Sequence, residues 1–137
     1  METTKIILVD DNKQFRESIK DLIINVLKFE VVGEAENGSE FLKLPNLNFD
    51  IILMDLSMPE LNGFEATKKF LWGYPKSNII AVTNNYEDSY LLELIQCGFK
   101  GCIFKYNIFN DLLPAIKTVI SGKYWFPKNI ILKNSKN

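Results

Sequence analysis

Five short apolar runs, each followed by a stretch able to form a helix, constrain this chain more than any other feature. They cover residues 5–9, 30–33, 50–54, 78–82 and 100–104. Their starts lie roughly 20 to 28 residues apart, the length of one strand plus one crossover helix. The first, third and fourth runs are continuously apolar, as strands covered on both faces require. The second is short and flanked by Glu30, Glu34 and Glu36, which suits a sheet edge. Alternating strands and helices with right-handed crossovers predict an α/β fold: a doubly wound, five-stranded parallel sheet in the order 2-1-3-4-5, with helices on both faces.

Helical periodicity fills the intervals. Phe15, Ile19, Leu22, Ile23, Val26 and Leu27 form one stripe, capped by Asn12. Tyr90, Leu91, Leu94 and Ile95 form another before Gly98, and Leu112, Ile116, Val119 and Ile120 a third before Gly122. A start near Asn110 places Pro114 in the first turn of that last helix, where proline is tolerated. A short helix is expected over residues 39–44, stopped by Pro45. The 137 residues suit one domain, read as 1–123, with 124–137 as a C-terminal tail or the start of a linker. In that tail Tyr124, Trp125 and Phe126 read as a packing lid or linker.

Composition narrows the chemistry. The net charge is −1 with no basic block, so no nucleic-acid contact is expected through these residues. No apolar run approaches membrane-spanning length and no signal peptide is visible, so the expectation is no membrane and a cytoplasmic setting. Cys97 and Cys102 make no disulfide framework and read as buried, inert thiols. The chain has no histidine, which excludes a Ser-His-Asp triad, His-ligated zinc and any phosphohistidine of its own.

The chemistry that remains gathers at the strand ends. The runs end in Asp10-Asp11, Asp55, Thr83 and Lys105. In an open sheet of this order, ligands bind in the crevice outside the carboxyl ends of the strands. A lone Asp after a strand is ordinarily a turn or cap residue, a lone Thr a strand residue and a lone Lys a solvated side chain. The convergence of all five is what signals a site.

Three carboxylates in a small, partly buried volume repel one another, and at least one resists ionising. A hard divalent cation such as Mg²⁺ resolves the conflict. Asp11 and Asp55 would bind it directly and Asp10 through water, with a backbone carbonyl after Asp55, that of Ser57, completing the protein's share. Asp55 is then placed as a nucleophile toward a phosphoryl group, with Lys105 and Thr83 as partners for its oxygens.

The residues that carry this reading also resemble the receiver domain of bacterial two-component response regulators over about residues 5–123. They are Ile7-Leu8-Val9-Asp10-Asp11-Asn12, the run from Ile52 to Pro59 with Gly63 beyond it, Val82-Thr83, and the stretch from Gly98 to Lys105. The resemblance implies that Asp55 accepts a phosphoryl group from a histidine kinase or a histidine phosphotransfer protein. It implies that Asp10 and Asp11 hold Mg²⁺, that Thr83 binds the phosphoryl group and that Lys105 pairs with it. The chain would catalyse its own phosphorylation and slow dephosphorylation, and act on no independent metabolic substrate.

Phosphorylation would bias residues 84–110, where Tyr86, Tyr90, Tyr106 and Phe109 offer contact area, and a homodimer is a possible partner state. Tyr106 after the lysine, and the Gly122-Lys123-Tyr124 ending, resemble LuxR-type receivers. Other positions depart from the family: Cys102 replaces a frequent aromatic, Phe99 and Asn84 replace small residues, and Ser57 and Asn85 stand where the phosphoryl lifetime is tuned. The rival reading is a phosphorylation-independent receiver acting as an interaction or dimerisation module. A haloacid-dehalogenase-like hydrolase would need an Asp at position 57, where Ser57 stands.

Overall fold

In the computed structural model, which describes residues 3–45, 48–84 and 89–133, the strands are β1 (Lys5–Val9), β2 (Glu30–Ala35), β3 (Ile51–Asp55), β4 (Ile79–Thr83) and β5 (Gly101–Phe104). All pair in parallel, in the order β2-β1-β3-β4-β5 expected from the spacing of the apolar runs. Among the described residues, the α-helices that alternate with them are α1 (Lys13–Asp21), α2 (Gly38–Leu42), α3 (Gly63–Gly73), α4 (Leu91–Cys97) and α5 (Ile108–Ile120).

Strand periodicity divides the core into two layers. Ile6, Leu8, Ile51 and Leu53 face α1 and α5, while Ile7, Val9, Ile52 and Met54 face α2, α3 and α4. Both faces of β1, β3 and β4 are therefore covered, which is why those three runs carry no polar alternation. β2 forms one edge, as its glutamates imply.

Four local expectations need correction. The first stripe does not continue as a regular helix: α1 gives way to a π-helical turn over Leu22–Val26, closed by Leu27 N–H donating to the Leu22 carbonyl at 2.9 Å. The wider turn shifts the phase of the stripe, and Val26 points to solvent at 64% exposure. α5 starts at Ile108, not near Asn110, so Pro114 lies in the helix interior. Its ring nitrogen donates nothing to the carbonyl four residues earlier. Ile95 and Ile120, expected on buried stripes, are exposed, and Cys97 is half-buried rather than buried. Gly98 does close α4, at φ 110°.

The segment after α5 returns to the sheet. Trp125 N–H donates to the Lys100 carbonyl and Cys102 N–H donates to the Trp125 carbonyl, both at 3.1 Å, so a short parallel bridge covers the outer edge of β5. Gly101 allows this approach, since a Cβ there would stand 2.7 Å from the Trp125 carbonyl oxygen. Farther on, the carbonyls of Ile131 and Leu132 accept from the Leu91 and Leu92 N–H groups at 2.7 and 3.0 Å. These carbonyls satisfy first-turn donors of α4, whose N-cap Tyr90 offers no side-chain acceptor.

Candidate functional site

Each site residue is delivered by a strand terminus. β1 ends at Val9, immediately before Asp10 and Asp11; Asp55 and Thr83 are the last residues of β3 and β4; Lys105 follows β5 directly. Parallel registry of β1, β3, β4 and β5 brings these ends to one rim of the sheet. Asp10, Asp55 and Thr83 are buried and Asp11 is exposed.

The carboxylates converge. Oxygens of Asp10, Asp11 and Asp55 lie within 4.8 Å of one another. Lys105 Nζ stands 2.7 Å from Asp10 Oδ2 and 3.7 Å from Asp55 Oδ2. Asp10 Oδ1 also accepts from the Asn12 N–H at 2.8 Å, and Asp55 Oδ1 from the Ser57 N–H at 3.2 Å. Ser57 itself is exposed at the mouth of the site.

The electrostatics follow from that crowding. Burial, and after it the charge of Asp10, pushes the Asp55 carboxyl from an ordinary 3.8 up to about 7. Lys105 and the Ser57 N–H act in the opposite direction without cancelling the rise. An all-oxygen set with one strongly destabilised carboxylate suits a hard divalent cation. The spread of the three groups fits a site in which some ligands bind directly and others through water.

Local sequence explains how the rim is built. Asn12 caps α1 through Oδ1, accepting from the Phe15 N–H at 2.9 Å, so the chain turns into the helix directly after the aspartate pair. Gly63 opens α3 against the rim: a Cβ there would overlap the backbone oxygen of Asp55. Of the side chains expected at the strand ends, Asp10, Asp11, Asp55 and Lys105 come together, and Thr83 is buried at the end of β4, the strand beside β3. Tyr86 and Asn85 fall outside the described residues. Tyr106 and Phe109 are exposed, and Cys102 is buried in the sheet.

Two neighbours of the site were not singled out for it by sequence. Arg16 Nη1 donates to the Asp10 carbonyl at 2.6 Å while its Nε pairs with Glu34 Oε1 at 3.2 Å. The Phe15 ring lies with its centroid 4.3 Å from Lys105 Nζ. In the sequence Phe15 is one more apolar residue of a helical stripe, and no motif marks Arg16.

Residues 6–117 match the response regulator receiver domain family. The chain belongs to this family. Its receiver sequence is 37% identical over 128 residues to the transcriptional regulatory protein YdfI of Bacillus subtilis, covering 93% of this chain and 60% of that protein. It is 33% identical over 126 residues to the transcriptional regulatory protein DegU of Brevibacillus brevis, covering 90% of this chain and 53% of the relative. The chain thus spans a little over half the length of these curated relatives.

Among solved structures, the receiver fold is shared with a LuxR-family two-component response regulator from Aurantimonas. The TM-score is 0.82 at 28% identity, covering 94% of this chain and 93% of that one. The non-phosphorylated receiver domain of RcsB from Escherichia coli gives a TM-score of 0.82 at 25% identity, over 93% of this chain and 100% of that one. Receiver domains serve two-component signalling, and as a family they bind Mg²⁺ at an acidic pocket and meet histidine kinases or phosphotransfer proteins. Among the described residues, no helix is long and apolar enough to cross a membrane.

Proposed function

We propose that this receiver is a phosphorylation switch in which Asp55 is the phosphoacceptor. The observation that carries the reading is the meeting of three carboxylates within 4.8 Å around a lysine that contacts two of them. In this reading Asp10, Asp11, Asp55 and the Ser57 carbonyl hold Mg²⁺, which supplies positive charge to the transferring phosphoryl oxygens.

An Asp55 carboxylate oxygen attacks the phosphorus of a phosphohistidine on a histidine kinase or phosphotransfer protein. The new P–O bond forms as the P–N bond breaks, and the departing imidazole nitrogen takes up a proton. Asp55 must be ionised to attack, and a divalent cation held beside it would oppose the burial and the Asp10 charge that otherwise raise its pKa. The added phosphoryl charge draws Lys105 from Asp10 and engages the Thr83 hydroxyl. Strain at the end of β4 then passes into residues 84–110, the surface that reports the change. The proposed setting is the cytoplasm.

Mg²⁺-dependent incorporation of label from acetyl phosphate tests the reading, with loss of incorporation expected in Asp55→Asn. Undiminished incorporation in that variant removes the assignment. A beryllofluoride adduct that leaves backbone resonances of residues 89–110 unchanged favours the phosphorylation-independent module instead.

A further inference from the structure

We infer that Phe15 is a positioning residue for phosphoryl transfer, acting through the face of its ring on the Lys105 ammonium. The inference rests on the phosphoacceptor reading of Asp55 and adds a component to it.

The geometry around the lysine is asymmetric. Lys105 Nζ is pulled to 2.7 Å from Asp10, while Asp55 stands 3.7 Å away. To serve a phosphoryl group on Asp55, the ammonium must leave its shorter contact. A second carboxylate or a directional acceptor at this point would hold it back. The Phe15 ring, 4.3 Å from Nζ to centroid, does something different. Its electron-rich face attracts a cation without fixing a hydrogen-bond direction, so the ammonium can shift between the two carboxylates and keep its third partner. Because the lysine side chain is only 9% exposed, water screens this attraction weakly.

The turn that carries the ring is also tied down. Phe15 lies in the first turn of α1, with its N–H fixed by Asn12 Oδ1 at 2.9 Å. The next residue, Arg16, anchors that turn to the Asp10 carbonyl and to Glu34 on β2. On its inner side Phe15 packs against the core layer shared by α1 and α5. The first turn of α1 thus presents a fixed aromatic wall to the moving lysine. The ordinary alternative is that Phe15 only fills space, and the two accounts part company when shape and ring charge are varied separately.

The experiment compares initial rates of Mg²⁺-dependent incorporation from acetyl phosphate. The proteins are the wild type, Phe15→Leu, Phe15→Tyr and a chain carrying pentafluorophenylalanine at position 15. Fluorination keeps the ring shape and inverts its electrostatic character. Loss of the ring's attraction is expected to slow incorporation by about three- to tenfold in the Leu and pentafluoro proteins, with Tyr within about twofold of wild type. In a Lys105→Met background these differences should vanish. Equal rates for the wild-type and pentafluoro proteins overturn the proposal, as does a loss that persists without Lys105. Because the pentafluoro protein retains the packing shape, it decides the question even if Phe15→Leu unfolds. Failure of the wild type itself to incorporate label would instead remove the phosphoacceptor reading.

Discussion

Lys105 Nζ is 1.0 Å closer to Asp10 Oδ2 than to Asp55 Oδ2, at 2.7 against 3.7 Å. The cation therefore leaves Asp55 incompletely compensated, and the cost of burial dominates the proton affinity of that carboxyl.

Without a divalent cation, Asp55 penalises folding as the pH rises. Its unfolded carboxyl titrates near 3.8 and its folded one at about 7, so between these values the native state holds a proton that the unfolded state has released. The contribution is fully present below about pH 4 and lost as the pH passes about 7. Asp55→Asn in EDTA should raise the unfolding midpoint at pH 8, by about 4 °C for each kcal/mol recovered, and change it little at pH 4. Calorimetry at the two pH values checks this; an equal gain at both contradicts it.

Mg²⁺ affinity should show the opposite trend. A bound cation needs the ionised carboxylate, so apparent affinity falls up to about tenfold for each pH unit below the Asp55 midpoint and levels off above it. Titration calorimetry at pH 6 in two buffers of different ionisation enthalpy should detect proton release. A pH-independent affinity would place the cation away from Asp55.

Gly63→Ala tests how closely α3 must approach the rim. The new methyl would overlap the Asp55 backbone oxygen and stand 2.9 Å from Leu56 Cα. We expect a loss of about 1–3 kcal/mol in urea denaturation, as for other overpacked sites, together with slower phosphoryl incorporation. A variant of native stability and rate would mean that this contact relaxes freely.

A chain ending at Lys123 should lose about 2–4 kcal/mol. It forfeits the packing of Trp125, Phe126 and Ile130 and leaves the Leu91, Leu92 and Cys102 amides without their carbonyl partners. Hydrogen exchange at those three amides should quicken in the shortened chain. Unchanged exchange would show that the segment contributes little to order.

The sheet and the rim were legible because they depend on patterns with few alternatives. Continuous apolar runs such as Ile51–Met54 suit strands buried on both faces, and the charged residues that end the first, third and fifth runs have only the crevice to occupy. Features decided by tertiary packing left no such trace. Val26 has the right spacing for a buried stripe, and only the π-helical turn rotates it outward. Pro114 argued for a later helix start, yet the burial of Ile108 and Leu112 against the sheet outweighs one missing hydrogen bond. Phe15 shows the limit most clearly, since an apolar residue on a helix looks the same whether it faces aliphatic carbon or an ammonium.

The returning C-terminal segment also sets a load path. Its last described hydrogen bonds are to the opening turn of α4, whereas its attachment to β5 lies several residues earlier, at Trp125. Tension applied to the backbone at Lys133 therefore reaches α4 before it reaches the sheet. In a pulling experiment the helix should let go first, with the central strands still zipped together.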